Sequence, residues 1–417
     1  MKKIVVKGGN KLKGEVNISA AKNSVLPIIA ASILCEEDIT IENAPMLEDV
    51  FVICNLLKSL NCNLKIENNN IKINTKNINS IDADSNLIRK MRASFLIMGP
   101  MLSRFGYCRL SLPGGCNIGS RPIDLHLKGF KALGADITMG YGYVEAKAKK
   151  LIGTTIYLDF PSVGATENII MAATLAEGRT IIENAAEEPE IADLAGFLNS
   201  MGAKVSGAGT GTIIIDGIKK LKGTSYKPIY DRIEAGTFII AAAITNSKII
   251  INGINSNHLT PVLEKLKECG IEFIENGEKI IVDGTQNKNP IDIKTMPYPG
   301  FPTDMQPQIM SLLSIVNGSS IVTETVFENR FMHIAELNRM GANIKIDGRT
   351  AFVEGVNKLT GCDVKATDLR AGAAMILAGL VAEGYTSIGD IYHIDRGYVN
   401  IEEKFKKLGA AIQRIEV

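Results

Sequence analysis

The chain has no surplus of charge of either sign. Its 46 Lys and Arg stand against 45 Asp and Glu, a formal net charge of +1 over 417 residues. Without a global field to gather nucleic acid or an acidic membrane, any anion-binding site must be local. Long apolar runs are also missing. Stretches such as Ala373 to Ala382 fall well short of the roughly 20 residues that cross a bilayer. The opening Met1-Lys2-Lys3-Ile4-Val5-Val6-Lys7 holds no signal-peptide core. These absences predict a cytoplasmic protein with no membrane or nucleic-acid partner. The seven cysteines (Cys35, Cys54, Cys62, Cys108, Cys116, Cys269 and Cys362) are odd in number and form no CxxC, which speaks against a disulfide framework. The four histidines (His126, His258, His333 and His393) never pair at i, i+4, so no zinc motif is present. No metal or organic cofactor is implied.

What is present is a repeat. Apolar residues make up 46% and charged residues 22%, a globular balance, and the length suits two or three domains. A helix-ending phrase recurs at Leu133-Gly134-Ala135, Met201-Gly202-Ala203, Met340-Gly341-Ala342 and Leu408-Gly409-Ala410, with degenerate copies at Cys269-Gly270-Ile271 and Leu60-Asn61-Cys62. The central positions 61, 134, 202, 270, 341 and 409 advance by 73, 68, 68, 71 and 68 residues. A second phrase, Ala176-Glu177-Gly178, returns as Ala382-Glu383-Gly384. Six α/β units of about 70 residues therefore fill the chain. Each is expected to hold an apolar helix buried on all sides, a strand, an amphipathic second helix ending at the Gly-Ala phrase, and further short strands. Ala165 to Ala176 and Arg370 to Ala382 read as first helices; Pro261 to Cys269 and Asn400 to Leu408 read as second helices.

Polar residues gather just ahead of the first helices. Lys22, Arg92, Thr166, Asp304 and Arg370 lie 39, 42, 36, 37 and 39 residues before the next central position, so they are expected at equivalent helix N-termini. Such ends carry unpaired N–H groups and partial positive charge. For any one Ser, Thr or Asp the simpler reading is a helix cap. Lys22, Arg92 and Arg370 oppose the helix dipole, and anion binding explains them. One loop differs from all others. In Pro113-Gly114-Gly115-Cys116-Asn117-Ile118-Gly119-Ser120-Arg121-Pro122, glycines flank a thiol that lies near Arg121 and an expected helix start, with Ser120 as cap and Pro122 in the first turn. That setting favours a thiolate, whereas the other cysteines read as small buried hydrophobes.

These blocks, together with Ala21-Lys22-Asn23, Phe301-Pro302-Thr303-Asp304, Glu324-Thr325-Val326-Phe327-Glu328-Asn329-Arg330 and His393-Ile394-Asp395-Arg396, resemble the UDP-N-acetylglucosamine 1-carboxyvinyltransferases of the enolpyruvyl transferase family. The likeness runs along the whole chain. It implies an inside-out α/β barrel fold of two domains with three repeats each. Residues 1–21 with 230–417 would form domain I, on the phosphoenolpyruvate side, and 22–229 domain II with the Cys116 loop. The implied substrates are phosphoenolpyruvate and UDP-N-acetylglucosamine, joined at the sugar 3′-hydroxyl by addition and elimination in the first committed step of peptidoglycan synthesis. Cys116 is implied as general acid and site of a covalent adduct, which also makes the thiol the target of fosfomycin. Asp304 is implied as base. Lys22, Arg121 and Arg396 belong to the phosphate, Arg330, Arg370 and Arg396 to the carboxylate, and Asn23 to the intermediate. The nucleotide sugar falls to Arg92, Arg121, Pro122, Ile123, Asp124, Leu125, Ser162, Val163, Gly164, Asp304 and Val326. Phe160 and Glu48 stand where some members carry lysine, which bears on diphosphate binding. Two alternatives stay open: a related enolpyruvyl transferase with another hydroxyl acceptor, and a non-catalytic regulator that binds the nucleotide sugar.

Overall fold

The computed structural model describes residues 2–79, 85–112, 119 and 123–416. The backbone separates into two compact units, one of residues 2–19 with 230–416 and one of residues 20–112 with 123–229; Gly119 groups with the first.

In the first unit, Arg232–Ile244, Gln306–Leu313 and Leu369–Val381 are helices packed on one another. All thirteen residues of the first and all eight of the second are buried. Ala, Ile, Leu and Met dominate Arg232–Ile244 and Leu369–Val381. The few polar residues of the three helices, such as Gln306 and Gln308, are buried too, so the helices form the core and sheets cover them. The sheets share one strand order. Ile293–Lys294 lies parallel to Ser319–Thr323, followed by antiparallel Thr350–Glu354 and Asn343–Asp347. Lys13–Asn17, Lys248–Asn252, Lys279–Asp283 and Glu272–Asn276 repeat it. So do Asp363–Lys365, Tyr385–Gly389, Lys2–Lys7 and Ala411–Glu416, and the N-terminal strand thereby lies between two strands from the end of the chain. Alternation sets the facing: Ile249 and Ile251 of Lys248–Asn252 are buried toward the helices while Lys248 is exposed.

The second unit follows the same plan. Its inner helices are Lys22–Ala31, Met98–Phe105 and Val163–Ala173. Thr155–Tyr157, Arg179–Glu183, Thr212–Asp216 and Val205–Ser206 form one four-stranded sheet, and Thr224–Tyr226, Ile39–Ile41, Asn70–Asn74 and Asn63–Glu67 another. The third has three strands among the described residues: Tyr107–Ser111, Tyr143–Lys147 and Asp136–Gly140. No helix among the described residues is long and apolar enough to cross a membrane.

The recurring phrase has a local cause. Gly134, Gly202, Gly270, Gly341 and Gly409 have φ of 94–96°, and Asn61 has φ of 68°. Each ends an outer helix in the left-handed region that Gly, and then Asn, tolerates best. The next amide reaches back five residues in all six cases, from Cys62 N to Leu57 O at 3.1 Å through Ala410 N to Phe405 O at 3.0 Å, which is a Schellman closure. Helix bounds differ modestly from expectation: Val163–Ala173, Leu369–Val381, Thr260–Glu268 and Ile401–Lys407. The helix after the glycine-rich loop spans Asp124–Ala132 with Ile123 at its N-cap, so its described start lies beyond Ser120 and Pro122.

Candidate active site

In the first unit two inner helices start with an aspartate cap. Asp231 Oδ1 accepts from Ile233 N and Glu234 N at 2.8 and 3.0 Å, and Asp368 Oδ1 accepts from Arg370 N and Ala371 N at 2.8 and 3.1 Å. The third helix is entered through a 3₁₀ turn, Thr303–Met305, that carries Asp304 in place of a cap residue ahead of a regular helix. Its carboxylate takes charge-assisted bonds instead. Arg330 Nη2 donates to Oδ1 at 2.8 Å, and Arg370 Nε and Nη2 donate to Oδ2 at 3.1 and 2.9 Å. The arginine side chains are 2% and 3% exposed and that of Asp304 26%, so two buried cations meet one carboxylate that still reaches solvent. Arg330 Nε and Arg370 Nη1 are buried with no hydrogen-bond partner among the described residues. Burial opposes the Arg370 charge, but Asp304, Tyr398 and Asp231 more than offset it and raise its pKa.

Behind this cluster, Tyr398 Oη lies 3.0 Å from Thr237 Oγ1 and 3.3 Å from Gln308 Nε2, and Gln308 also donates to the Asp304 carbonyl at 2.8 Å. Fully buried His333 lies 3.2 Å through Nδ1 from the Arg330 carbonyl. Burial lowers its pKa to about 4, against the pull of Asp368. Arg396 follows the short helix Tyr392–Asp395 and is half-buried; its charge joins burial in lowering the pKa of His393. Val326 donates its backbone N–H to Glu324 Oε1 at 2.8 Å.

The second unit places Lys22 as first residue of Lys22–Ala31, after an Ala21 that has no side chain to cap with. Its ammonium lies 3.2 Å from buried Asp49 Oδ2, a carboxylate that compensates a cation set against the helix dipole. Asn23 is exposed beside it. Arg92 begins the 3₁₀ stretch Arg92–Ile97 instead of a regular helix. Ser162 caps Val163–Ala173 by accepting from Ala165 N, so Val163 and Gly164 form its first turn. Thr166 does not stand at the helix end: it is buried one turn in, and its hydroxyl accepts from Ala186 N at 3.1 Å. Ile123, Asp124 and Leu125 open the next outer helix.

His126 ties these pieces together. Its ring meets Phe95 edge-on with centroids 5.2 Å apart, its Nδ1 lies 3.0 Å from Asn168 Nδ2, and a Cβ on Gly164 would come within 3.2 Å of its Cε1. Burial, helped by the Arg92 charge, lowers its pKa to about 3, so the ring is neutral. One neutral histidine thus lies against Phe95, Asn168 and Gly164, within the electrostatic reach of Arg92.

The structure therefore brings Asp304, Arg330 and Arg370 into direct contact and groups the second-unit residues at neighbouring helix heads. Cys116, Arg121 and Pro122 lie outside the described residues. Sequence reasoning passed over His126, Arg232, Glu324 and Asp368. For Arg232 a signal existed, because 39 residues before Gly270 stands Asp231, the cap directly ahead of it. Arg232 is 9% exposed and lies over the Tyr298 ring at 5.4 Å.

A profile of the family described as EPSP synthase (3-phosphoshikimate 1-carboxyvinyltransferase) matches residues 6–405. The chain is 68% identical over 417 residues to UDP-N-acetylglucosamine 1-carboxyvinyltransferase 2 of Clostridium tetani, covering 100% of both. It is 65% identical over 418 residues to UDP-N-acetylglucosamine 1-carboxyvinyltransferase 1 of Clostridium acetobutylicum, again covering 100% of both. Among solved structures, the enolpyruvyl transferase NikO from Streptomyces tendae shares the fold with a TM-score of 0.91 at 24% identity, over 100% of this chain and 99% of that one. EPSP synthase from Acinetobacter baumannii shares it with a TM-score of 0.77 at 20% identity, over 100% of each.

Proposed function

The chain belongs to the carboxyvinyltransferase family described as EPSP synthase, and from that membership we propose that it transfers the enolpyruvyl group of phosphoenolpyruvate to the 3′-hydroxyl of UDP-N-acetylglucosamine. The acceptor is taken from relatives named for it at 68% and 65% identity over their full length. The observation that supports the chemistry is Asp304, held by two buried guanidinium groups that each keep one N–H without a partner among the described residues. A base beside cationic donors suits a reaction between a hydroxyl and a substrate that carries phosphate and carboxylate.

In this reading the Cys116 thiol gives its proton to the methylene carbon of phosphoenolpyruvate. The sugar 3′-oxygen bonds to the adjacent carbon and its proton passes to Asp304. The tetrahedral adduct then returns a methyl proton to the Cys116 thiolate and expels phosphate, which restores the thiol and the double bond, now as a vinyl ether. We assign Lys22, Arg121 and Arg396 to the phosphate, Arg330, Arg370 and Arg396 to the carboxylate, and Asn23 to the adduct. Arg92, Arg121 to Leu125, Ser162 to Gly164, Asp304 and Val326 take the nucleotide sugar. The product commits the sugar to peptidoglycan, which places the reaction in the cytoplasm. The two domains of the reading are residues 1–21 with 230–417 and residues 22–229.

The test is phosphate release from the purified protein with both substrates, each omitted in turn, and shikimate 3-phosphate as a second acceptor. Release that needs both phosphoenolpyruvate and UDP-N-acetylglucosamine, with the enolpyruvyl ether identified by mass, supports the reading. Release only with shikimate 3-phosphate replaces the acceptor. Binding of the nucleotide sugar without any release makes the chain a regulator.

A further inference from the structure

Glu324 is 1% exposed and forms no ion pair among the described residues, yet its carboxylate accepts four hydrogen bonds from neutral donors. Oε1 takes Thr295 Oγ1 at 2.9 Å, Val326 N at 2.8 Å and Phe327 N at 3.1 Å, and Oε2 takes Thr303 Oγ1 at 3.0 Å. Its own backbone is fixed where it leaves the strand Ser319–Thr323, with Glu324 N donating to Arg349 O at 2.8 Å. Buried Thr295 is anchored as well: its N–H donates to Thr323 O at 2.9 Å and its hydroxyl accepts from Thr325 N at 2.9 Å.

The two segments that Glu324 joins are the two that meet at Asp304. Thr303 opens the 3₁₀ turn that carries Asp304. Val326 and Phe327 lead, three residues on, to Arg330, whose Nη2 donates to Asp304 Oδ1. Both sides of the Arg330–Asp304 bond are therefore referenced to one rigid carboxylate at the end of a strand. Four hydrogen bonds from three segments tie both sides to this one carboxyl group. We propose that Glu324, acting through Thr303, is a positioning residue that sets the Asp304 carboxylate for proton transfer and, through the Val326 and Phe327 amides, the backbone facing the acceptor sugar. The inference rests on the reading of Asp304 as base, and it adds a residue that touches neither substrate.

Thr303→Val keeps the shape and removes the hydrogen bond from the Asp304 turn to Glu324 Oε2, at some cost in stability, while the Asp304 carbonyl stays held by Gln308. A displacement of a base by about 1 Å can cost about 100-fold in rate. The expected result for Thr303→Val is a kcat lower by about 10- to 100-fold, a KM for UDP-N-acetylglucosamine within about threefold of wild type, and rescue by Thr303→Ser. Glu324→Gln, which cannot accept at both oxygens, is expected to lower kcat and raise that KM together. A Thr303→Val enzyme within threefold of wild-type kcat, or one that loses only thermal stability, overturns the proposal. A crystal structure of Thr303→Val separates this failure from that of the proposed function. If wild type shows no turnover, the function falls, but an Asp304 carboxylate shifted off Arg330 and Arg370 still supports the positioning role, and an unmoved one sinks it.

Discussion

Asp304 receives three charge-assisted hydrogen bonds from Arg330 and Arg370, so replacing it changes chemistry and packing together. Asp304→Asn removes the proposed proton acceptor and leaves two buried cations facing an amide. A general base is worth about 10²–10⁴ in rate, and kcat is expected to fall by about 10²-fold or more while KM for the nucleotide sugar moves much less. Equal loss in kcat and affinity would mean that Asp304 only binds. For Cys116 the expectation comes from its glycine-rich sequence setting. Cys116→Ser stops or strongly slows turnover with sugar binding intact. Cys116→Asp, which keeps a proton donor but no thiol, remains active and resists fosfomycin; wild-type-like inhibition of an active Cys116→Asp enzyme contradicts the assignment. His126 supplies a pH signature. Its folded pKa of about 3 lies below the ordinary 6.5 because burial, then Arg92, disfavours the imidazolium. The unfolded chain therefore takes the proton first as pH falls. Its contribution is complete above pH 6.5 and is lost progressively from there toward pH 3, about 2 kcal/mol between pH 7 and pH 5. Buried Glu167 works in the opposite sense, since burial and then Glu190 and Glu188 raise its pKa and its contribution fades as pH rises above 4.5. The difference between urea midpoints of wild type and His126→Gln across pH 5–7 isolates the histidine, and parallel profiles would exclude it.

At the scale of elements, the heads and tails of helices carry most of the information, and they do so unequally. The Schellman closures were legible because a left-handed φ selects Gly or Asn at one position in every repeat, whatever packs around it. The helix heads were legible as positions: the interval that marks Lys22, Arg92, Asp304 and Arg370 holds, and extended to Gly270 it also reaches Asp231 and Arg232. Their roles were less legible. Thr166 shares the interval but lies inside its helix, because a repeat offset blurs by a turn. Glu324 could not be singled out, since its partners Thr295 and Thr303 come from other segments and only the folded sheet brings them together. His126 was set aside for want of a second histidine at i, i+4, and its partners Phe95 and Asn168 likewise come from other segments. Asp231 offers a test of the heads themselves. It caps Arg232–Ile244 with two backbone bonds, so Asp231→Ala is expected to cost about 1–2 kcal/mol. Asp231→Asn preserves an acceptor and should recover most of that loss in a urea titration. If both variants lose equally, the charge of Asp231 toward Arg370 matters more than the cap.

Over the whole molecule the repeat phase and the chain ends are out of step, and this has a mechanical consequence. Strand Lys2–Lys7 occupies a central place in its sheet, with Ile4 opposite Ile388 on one side and Arg414 on the other. The last repeat thus lacks a strand that only the first residues of the chain can supply. That sheet cannot form until both ends are present, and a central strand is worth more than its length suggests because two ladders depend on it. Removing residues 2–7 would take buried Ile4 and Val6 out of the core and uncover both flanking strands, with buried Ile388 and Ile412 on them, giving an insoluble or unfolded product. The same geometry makes the order of the chain dispensable. Lys2 and Glu416 are directly paired and 3.6 Å apart through their side chains, so a linker of about four residues joins the ends without distorting either strand. A new opening between Asn68 and Asn69, exposed at a hairpin tip where both residues have positive φ, breaks no strand. The permutant is expected to fold cooperatively, with a midpoint within a few degrees of wild type, and to keep phosphate release dependent on both substrates. A soluble, active chain after deletion of residues 2–7, or a permutant that fails to fold, would show that the sixth sheet does not need the closure its register describes.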